Sequence, residues 1–213
     1  MTRSTEGKPP PLRGAHAEPL GSAEAEAWRD ARRRVQSLWV RWRSGVPLSA
    51  DDLRLPELDH DRLFNALHVP DDAGPYAAAL EGILRRIPDG WGRWVDCDRG
   101  WYPLIVELDR KLTALDPGYI VYQIKQKFGV LRVYIESAQE VARDMRTLIA
   151  DASTASRSSC EACGQPGQLM EGSGRVKTLC PRCGMEAAFL PREQAFPISE
   201  VAGDTSGLGA TSQ

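Results

Sequence analysis

The sequence lacks several features that define common classes of protein. No apolar run approaches the length of a membrane span. Arg3 and Lys8 have no apolar stretch behind them, so no secretory signal is predicted. Charge of one sign is not in excess, because 27 basic residues stand against 29 acidic residues in a chain of 213. The net charge of −2 therefore gives no overall basic field for a nucleic-acid partner.

Cysteine is sparse outside one motif. Four of the five cysteines lie close to the C-terminal end, and Cys97 stands alone. This usage is typical of metal-bound thiolates in a reducing compartment and not of a secreted disulfide framework. The sequence therefore predicts a cytoplasmic protein. Its length suits one good-sized domain, or two small ones with tails.

The paired cysteine motif is the most specific signal in the chain. Cys160 and Cys163 form one Cys-x-x-Cys-Gly unit, and Cys180 and Cys183 form a second one after sixteen intervening residues. Four soft sulfur ligands suit tetrahedral zinc better than any harder cation. The short segment between the pairs cannot build a core of its own, so metal binding would drive much of its folding. We predict a four-cysteine zinc ribbon over residues 158–190, with structural Zn²⁺ as the cofactor.

The N-terminal part of the chain divides into a tail and a helical unit. Residues 1–21 are rich in proline, glycine and small or charged residues, and they are predicted to be disordered. Residues 22–87 are predicted to form an all-helical unit that packs by its tryptophans and leucines. Its helices are expected at about residues 22–44, 58–67 and 75–87.

The first of these helices is strongly amphipathic. Apolar residues at three- and four-residue steps predict a buried stripe made of Trp28, Ala31, Val35, Leu38, Trp39 and Trp42. The other faces carry arginines, including the run Arg32, Arg33 and Arg34. One interpretation is a patch for phosphates or for an acidic protein. The other is a solvated helix whose arginine stems cover apolar neighbours.

Residues that could support catalysis are few and scattered. Asp96 and Asp98 flank Cys97, but phosphoryl chemistry would need further carboxylates or a glycine-rich phosphate loop nearby. As charges at the N-terminal end of the helix that follows, the two aspartates need no chemistry. His60 and His68 are eight residues apart and have no third ligand near them. The protein is therefore predicted not to be an enzyme.

Residues 88–157 are predicted to form a helix, a β-hairpin and a second helix. The first helix is expected over Pro103–Leu115. The best strand signal is Tyr119–Glu136, with a turn at Lys127-Phe128-Gly129. Ser137 and Glu140 form a capping box that predicts the start of the second helix.

The alternation along the hairpin predicts one apolar and one polar face. Tyr122 and Ile124 are expected on the apolar face, whereas Lys125, Arg132 and Tyr134 are expected on the other. Together with the arginine run and the turn lysine, these polar residues form the predicted partner-binding set: Arg32, Arg33, Arg34, Lys125, Lys127, Arg132 and Tyr134.

The cysteine pairs are expected to be joined by a loop and a strand. The loop is predicted over residues 167–174 and the strand over residues 175–179. The chain then becomes polar and glycine-rich, so residues 191–213 are predicted to form a disordered tail. The complete prediction is an α+β fold, in which the helical unit precedes the helix–β-hairpin–helix core and the ribbon.

Three sequence features resemble a known group of proteins. Trp101-Tyr102-Pro103-Leu104 begins a helix, Gln123–Tyr134 includes Lys-Phe-Gly-Val-Leu-Arg, and the paired cysteines follow. Over about residues 90–185, the chain resembles uncharacterised bacterial and phage-associated small proteins with a "Q-K-KFG-LR-Y" hairpin and a C-terminal Cys-x-x-Cys pair. The resemblance implies no activity. Such proteins look like the immunity partners encoded beside toxin genes in their size and context.

Two functions remain open from the sequence. The first is a non-enzymatic protein-binding module, with an immunity protein that neutralises a bacterial toxin as its specific form. Residues 51–116 hold 14 acidic and 8 basic residues, a net charge of −6 that could attract a basic toxin. The second is a zinc-ribbon regulator that binds nucleic acid through the predicted cations and Tyr134.

Overall fold

The fold combines helices with two β-sheets. The computed structural model describes residues 17–52, 54, 59–172 and 174–192. The helices are α1 (Ser22–Arg43), α2 (His60–Asn65), α3 (Ala77–Leu84), α4 (Tyr102–Leu115), α5 (Ala142–Ser156) and α6 (Pro181–Glu186). The strands are β1 (Leu67–His68), β2 (Arg93–Asp96), β3 (Ile120–Lys127), β4 (Val130–Glu136), β5 (Gln168–Gly172), β6 (Arg175–Leu179) and β7 (Leu190–Pro191). This mixture confirms the predicted α+β class. In the described part of the chain, no helix has the length and apolar character needed to cross a bilayer.

The larger sheet has the strand order β1-β2-β3-β4. β2 runs parallel to both β1 and β3, whereas β3 and β4 form the predicted antiparallel hairpin. Parallel neighbours need crossover connections, and α3 and α4 provide them. The sequence does not predict β1 and β2, because strands of 2 and 4 residues are too short to show an alternating pattern.

One hydrophobic core lies between this sheet and α3, α4 and α5. Leu80 of α3 is buried in the same cluster as Ile105 of α4 and Ile124 of β3. The sequence leaves open whether the predicted all-helical unit over residues 22–87 packs with the rest of the chain; in the structure it shares this core, and it also contains the strand β1. The physical reason is that α3 has only 8 residues and buries its apolar side against elements that follow it in the chain.

α1 lies on the opposite face of the sheet from this core. The ring of Trp28 stands 5.7 Å from the ring of Trp94 in β2 and 5.1 Å from the ring of His68 in β1. At its C-terminal end, α1 reaches the turn between β5 and β6, where Arg43 Nη1 donates to the Gly174 carbonyl at 3.2 Å. The helix is thus attached near both of its ends.

Residues 17–20 lie against β1, although the predicted disordered segment 1–21 includes them. The Leu67 amide donates to the Glu18 carbonyl at 3.1 Å. A paired backbone group of this kind is typical of an ordered chain. The prediction is corrected for these four residues, and residues 1–16 lie outside the described part.

A β-bulge changes the predicted faces of the hairpin. Val121 pairs with Ile135 and Gln123 pairs with Tyr134, so Tyr122 is an extra residue without a partner position. Val121 and Ile124 therefore both face the core, and Tyr122 does not share that face with Ile124 as predicted. A bulge inserts one extra residue into a strand whose side chains alternate between faces. Strict alternation therefore assigns the residues on one side of the bulge to the wrong face of the sheet.

The second predicted helix begins later than expected. α5 has Val141 as its N-cap residue, and the predicted capping box of Ser137 and Glu140 does not form. The Ala138 amide instead donates to Asp116 Oδ2 at 2.9 Å. This longer-range bond holds the segment before α5 in a turn.

Side chains from α5 cover part of the β4 edge. The Leu131 amide donates to Ser156 Oγ at 2.9 Å, and Ser153 Oγ donates to the Leu131 carbonyl at 2.9 Å. Both backbone groups of Leu131 are therefore occupied on the side that faces away from β3.

We expect stability to depend on the protonation of His68. Burial lowers the pKa of His68, and the charges of Arg32 and Arg62 act in the same direction. As the pH falls below about 6.5, the unfolded chain binds a proton that the folded protein does not bind, so the free energy of unfolding decreases. The slope cannot exceed about 1.4 kcal/mol per pH unit for one proton.

Urea unfolding at several pH values between about 7.5 and about 5.5 would measure this dependence. His68→Gln keeps a polar side chain and removes the titrating group. The difference between wild type and variant should be constant above neutral pH and should change below about 6.5. An identical pH dependence in the two proteins would contradict the assignment to His68.

Candidate metal centre and interaction surface

Four sulfur atoms converge near the C-terminal end of the described chain. The Sγ atoms of Cys160, Cys163, Cys180 and Cys183 all lie within 4.8 Å of one another, and those of Cys163 and Cys180 are 3.7 Å apart. All four cysteines are free of disulfide bonds. Sulfurs around a tetrahedral zinc ion, each about 2.3 Å from the metal, would be roughly 3.8 Å apart. The predicted ligands therefore lie together in a cluster that could hold a metal ion.

Backbone hydrogen bonds position the two thiols of each pair. In the first pair, the Gly164 amide donates to the Cys160 carbonyl at 2.8 Å, and Gly164 has a φ of +78° that favours glycine. In the second pair, Cys180 is the N-cap residue of α6, and the Cys183 amide donates to Cys180 Sγ at 3.4 Å. An amide directed at sulfur stabilises the thiolate that binds a metal.

The two pairs are joined by the smaller sheet, whose strand order is β6-β5-β7. β6 coincides with the strand predicted over residues 175–179. The region predicted as a loop over residues 167–174 contains β5, because residues 168–172 pair with the whole of β6. We call residues 158–172 and 174–192 the cysteine segment.

The predicted C-terminal tail begins too early. Pro191 of β7 pairs with Met170 of β5, and the Arg192 amide donates to the Leu169 carbonyl at 3.1 Å. The first two residues of the predicted disordered segment 191–213 therefore belong to the smaller sheet. The remaining ones lie outside the described part of the chain.

Without a bound cation, ionisation of one thiol in the cluster opposes ionisation of the others. The hydrogen bond from the Cys183 amide lowers the pKa of the Cys180 thiol to about 7. Desolvation and the neighbouring sulfurs raise the pKa of the Cys183 thiol above its usual range. Ionising one sulfur thus disfavours ionising the next, and a bound cation would remove that conflict.

The cysteine segment packs directly on the main body of the protein. The Gly100 amide donates to the Glu161 carbonyl at 2.7 Å, and Trp101 Nε1 donates to the Ser159 carbonyl at 2.8 Å. On the other side of the contact, Thr178 Oγ1 donates to the carbonyl of Gly129 in the hairpin turn at 2.7 Å.

Glu161, between the first two cysteines, is a buried carboxylate that was not predicted from the sequence. Its side chain is 1% exposed, and its Oε1 accepts from the Asp98 amide at 3.3 Å and from Lys177 Nζ at 3.1 Å. Its Oε2 has no partner among the described residues. Burial raises the pKa of Glu161 to about 7, although Lys177 opposes the increase. No local pattern signals this burial, because it results from docking against a distant segment.

The candidate catalytic residues are held in ion pairs or buried. Asp96 lies 3.8 Å from Arg32, and Asp98 lies 2.6 Å from Lys177. Burial raises the pKa of the Cys97 thiol well above its usual value, and the nearby carboxylates act in the same direction. This thiol is therefore a poor nucleophile at neutral pH.

Each arginine of the predicted run contacts another group of the protein. Arg32 approaches Asp96, Arg33 forms an ion pair with Asp30, and Arg34 Nη2 donates to the Asp51 carbonyl at 2.9 Å. Carboxylates therefore lie beside Arg32 and Arg33, whereas Arg34 contacts a backbone carbonyl and keeps its charge. That the run binds a partner stays a prediction.

The predicted hairpin cations remain without carboxylate partners in the described structure. Lys125 pairs with Arg132 across the strands, and its Nζ lies 5.4 Å from the centre of the Tyr134 ring. Lys127 lies 5.7 Å from the Phe128 ring. Two exposed aromatic rings, of Tyr134 and Phe128, thus accompany three cations.

A groove lies between α1 and the cysteine segment. It consists of two adjoining depressions of about 700 and 630 Å³, which share Trp39, Arg43, Gly174 and Arg175. Its apolar lining includes Val35, Trp39, Ala162, Leu179 and Phe189. The groove was not predicted from the sequence, because it forms between segments more than one hundred residues apart.

Comparisons of the chain with protein-family models, with curated proteins and with solved structures find no match. The resemblance to bacterial and phage-associated small proteins therefore stays a prediction. Function must be inferred from the cysteine cluster and the exposed surfaces.

Proposed function

We propose that this protein is a non-enzymatic protein-binding module whose cysteine cluster holds a structural zinc ion. Four thiolates complete the tetrahedral coordination of zinc and leave no open position for water or substrate. The metal would then stabilise the cysteine segment and take no part in a reaction. Iron also accepts four thiolates, so elemental analysis of the purified protein must identify the metal.

The apolar stripe of α1 carries the protein-binding proposal. Its N-terminal half is covered, since Ala31 is buried and Trp28 packs on Trp94. Its C-terminal half continues at the same helical spacing but stays exposed in the described structure, where the ring of Trp39 contacts Trp42 and Arg43 of the same helix. The exposed fractions are 46% for Val35, 53% for Trp39 and 64% for Trp42. Grouped exposed apolar residues of this kind mark interaction sites more often than singly scattered ones do.

The scaffold holds this exposed surface in place. Arg29 pairs with Asp71 near one end of α1, and Arg43 bonds to Gly174 at the other end. Arg41 forms a further ion pair with Asp52 at 2.7 Å. A helix that is already fixed loses little conformational entropy when it binds a partner.

The toxin-neutralising role is a specific form of this proposal. Its support is the net charge of −6 over residues 51–116. Several of these carboxylates form ion pairs with α1, however, including Asp52, Asp71 and Asp96. The acidic surface available to a basic toxin is therefore smaller than the sequence count indicates.

We expect Trp39→Ala to remove partner binding. A tryptophan at the centre of an interface commonly contributes about 2 kcal/mol or more, which corresponds to roughly 30-fold in affinity. Tagged protein should be expressed in its native host, crosslinked and purified, and the recovered partner should be quantified by mass spectrometry. Wild-type protein should retain a stoichiometric protein partner, and Trp39→Ala should retain far less.

Trp91→Ala is the matched control. Trp91 is about as exposed as Trp39, but it lies away from the groove and packs on Tyr122 at a ring distance of 4.7 Å. Equal partner recovery by the two variants would contradict the assignment to α1. The absence of any stoichiometric partner would contradict the function itself.

A second candidate function is nucleic-acid binding by the hairpin. It is favoured by the three cations that lack carboxylate partners and by the exposed rings of Tyr134 and Phe128 beside them. Fluorescence anisotropy with a labelled oligo-dT strand at increasing salt would test it. Phosphate contacts predict an affinity that falls steeply with salt and that weakens further in Arg132→Gln. Binding undetectable at low salt would eliminate this candidate.

A further inference from the structure

We infer that the groove between α1 and the cysteine segment recognises a protein segment that combines an apolar anchor with carboxylates. This inference rests on the proposed protein-binding function and adds the chemistry of the partner. It is carried by the charges that line the groove and by the apolar surface between them.

Cationic side chains outnumber carboxylates along the groove, which Cys183 of the cysteine cluster also lines. Four cationic side chains line it, Arg32, Arg43, Arg175 and Lys177, against the two carboxylates of Asp96 and Asp98. Lys177 is already paired with Asp98 and Glu161, and Arg32 lies 3.8 Å from Asp96. The excess therefore resides on the two remaining arginines.

Arg43 and Arg175 have no carboxylate partner among the described residues. The Arg43 guanidinium donates to the Gly174 carbonyl and stands 4.7 Å from the centre of the Trp39 ring. With the Gln36 amide oriented to accept, Arg175 Nη2 donates to it at 2.9 Å. Each guanidinium has five N–H donors, so these contacts leave donors for a carboxylate, which can accept two parallel hydrogen bonds from one arginine.

The surface beside these arginines suits an apolar side chain. Trp39 lines both depressions, and Val35, Leu179 and Phe189 extend the apolar wall. A volume of about 630 to 700 Å³ is large enough for one or two bulky side chains of a partner. The arginines at this wall would orient such a segment by pairing with its carboxylates.

This lining favours a protein segment over a nucleic acid. Single strands bind along a row of cations and stack their bases on successive aromatic rings. Three aromatic side chains line the groove, Trp28, Trp39 and Phe189, but Trp28 lines only one depression and Phe189 only the other. Aliphatic side chains such as Val35 and Leu179 make up much of the remaining apolar wall. The cations and exposed rings of the hairpin do not line it.

Selection from a random peptide display library on the full-length, metal-loaded protein would test the inference. We expect enriched peptides to carry Asp or Glu next to Leu, Phe or Trp. A synthetic copy of the best peptide, measured by fluorescence anisotropy, should bind at least tenfold more weakly to Arg43→Gln and to Arg175→Gln. Replacing the peptide's carboxylates by amides should weaken binding by a similar factor. When the arginine variant and the amide peptide are combined, the loss of affinity should be smaller than the product of the two separate losses, because both changes remove the same interaction.

Arg143→Gln is the control variant, because Arg143 is an exposed arginine of α5 that lies outside the groove. Its affinity should remain that of wild type. Thermal unfolding of each variant would show that the fold is retained, and the use of two separate arginine variants guards against a folding defect in one of them.

Three other results would overturn the inference. If the selected peptides depend on Trp39 for binding but carry no carboxylates, the inference is overturned and the proposed protein-binding function stays intact. A selection that yields no peptide dependent on Trp39 would count against both. Displacement of the acidic peptide by oligo-dT, with the same loss in Arg43→Gln, would assign the groove to nucleic acid.

Discussion

Replacing Cys180 with serine is expected to abolish stoichiometric metal binding and to unfold the cysteine segment. The buried core of this segment consists of Cys160, Met170, Leu179 and Cys180, so two of its four members are predicted ligands. Such a core cannot hold the segment without the metal. Structural zinc sites commonly supply about 10 kcal/mol or more of binding free energy to the folds that contain them.

Elemental analysis and hydrogen exchange would measure this result. Wild-type protein should contain one zinc ion per chain, and the variant should contain none. Amide protection should be lost in β5 and β6 and retained in α4 and β3, because the main core does not include the ligands. Strong chelators should produce the same pattern in the wild-type protein.

Cys97→Ala is the matched control for the ligand variant. It removes a thiol outside the cluster and should leave one zinc ion per chain. Retention of zinc at full stoichiometry by Cys180→Ser, or unchanged protection of β5 and β6, would show that the cluster is not a structural metal site.

Gly100→Ala is expected to destabilise the protein strongly. A Cβ atom at this position would lie 2.5 Å from the Glu161 carbonyl oxygen and 2.5 Å from the Gly164 amide nitrogen, and closer still to the Cys160 carbonyl oxygen. These are backbone atoms and cannot rotate away as a side chain can. We expect the free energy of unfolding to fall by about 3 kcal/mol, which corresponds to roughly 6 to 12 °C in Tm for a protein of this size.

Gly82→Ala provides the opposite control. Gly82 lies inside α3, and a Cβ atom there would meet no atom within 4 Å. Alanine is favoured over glycine in a helix by about 1 kcal/mol, so this variant should be more stable than wild type. Differential scanning calorimetry of both variants would measure the contrast. A Gly100→Ala protein as stable as wild type would contradict the described packing of the cysteine segment.

The sequence was most informative where one local pattern determines the structure. The apolar stripe of α4 predicted its range within a residue, because it matches a helical period of 3.6 over several turns. The hairpin was predicted from two β-branched runs around Phe128 and Gly129, both of which have positive φ angles in the turn. The cysteine cluster was predicted from spacing, since each pair brings two sulfurs together locally.

Features that depend on distant segments could not be predicted in this way. The stripe of α1 has the same period throughout, and the sequence does not show that its first half packs on the larger sheet while Trp39 and Trp42 stay exposed in the described structure. From the sequence, Glu161 would be expected on the surface, yet its side chain is buried against Asp98 and Lys177. The groove has the same origin, as do its two arginines that lack a carboxylate partner among the described residues, because α1 and β6 meet only in the folded protein.

The contacts at the two sides of the larger sheet constrain how a partner could attach. The carbonyl of Glu18 occupies the Leu67 amide of β1, and the hydroxyls of Ser153 and Ser156 occupy the backbone of Leu131 in β4. An incoming peptide would have to displace these groups before it could extend the sheet as a fifth strand. Recognition by β-augmentation is therefore disfavoured at these positions, as is the edge-to-edge stacking of chains that leads to fibrils.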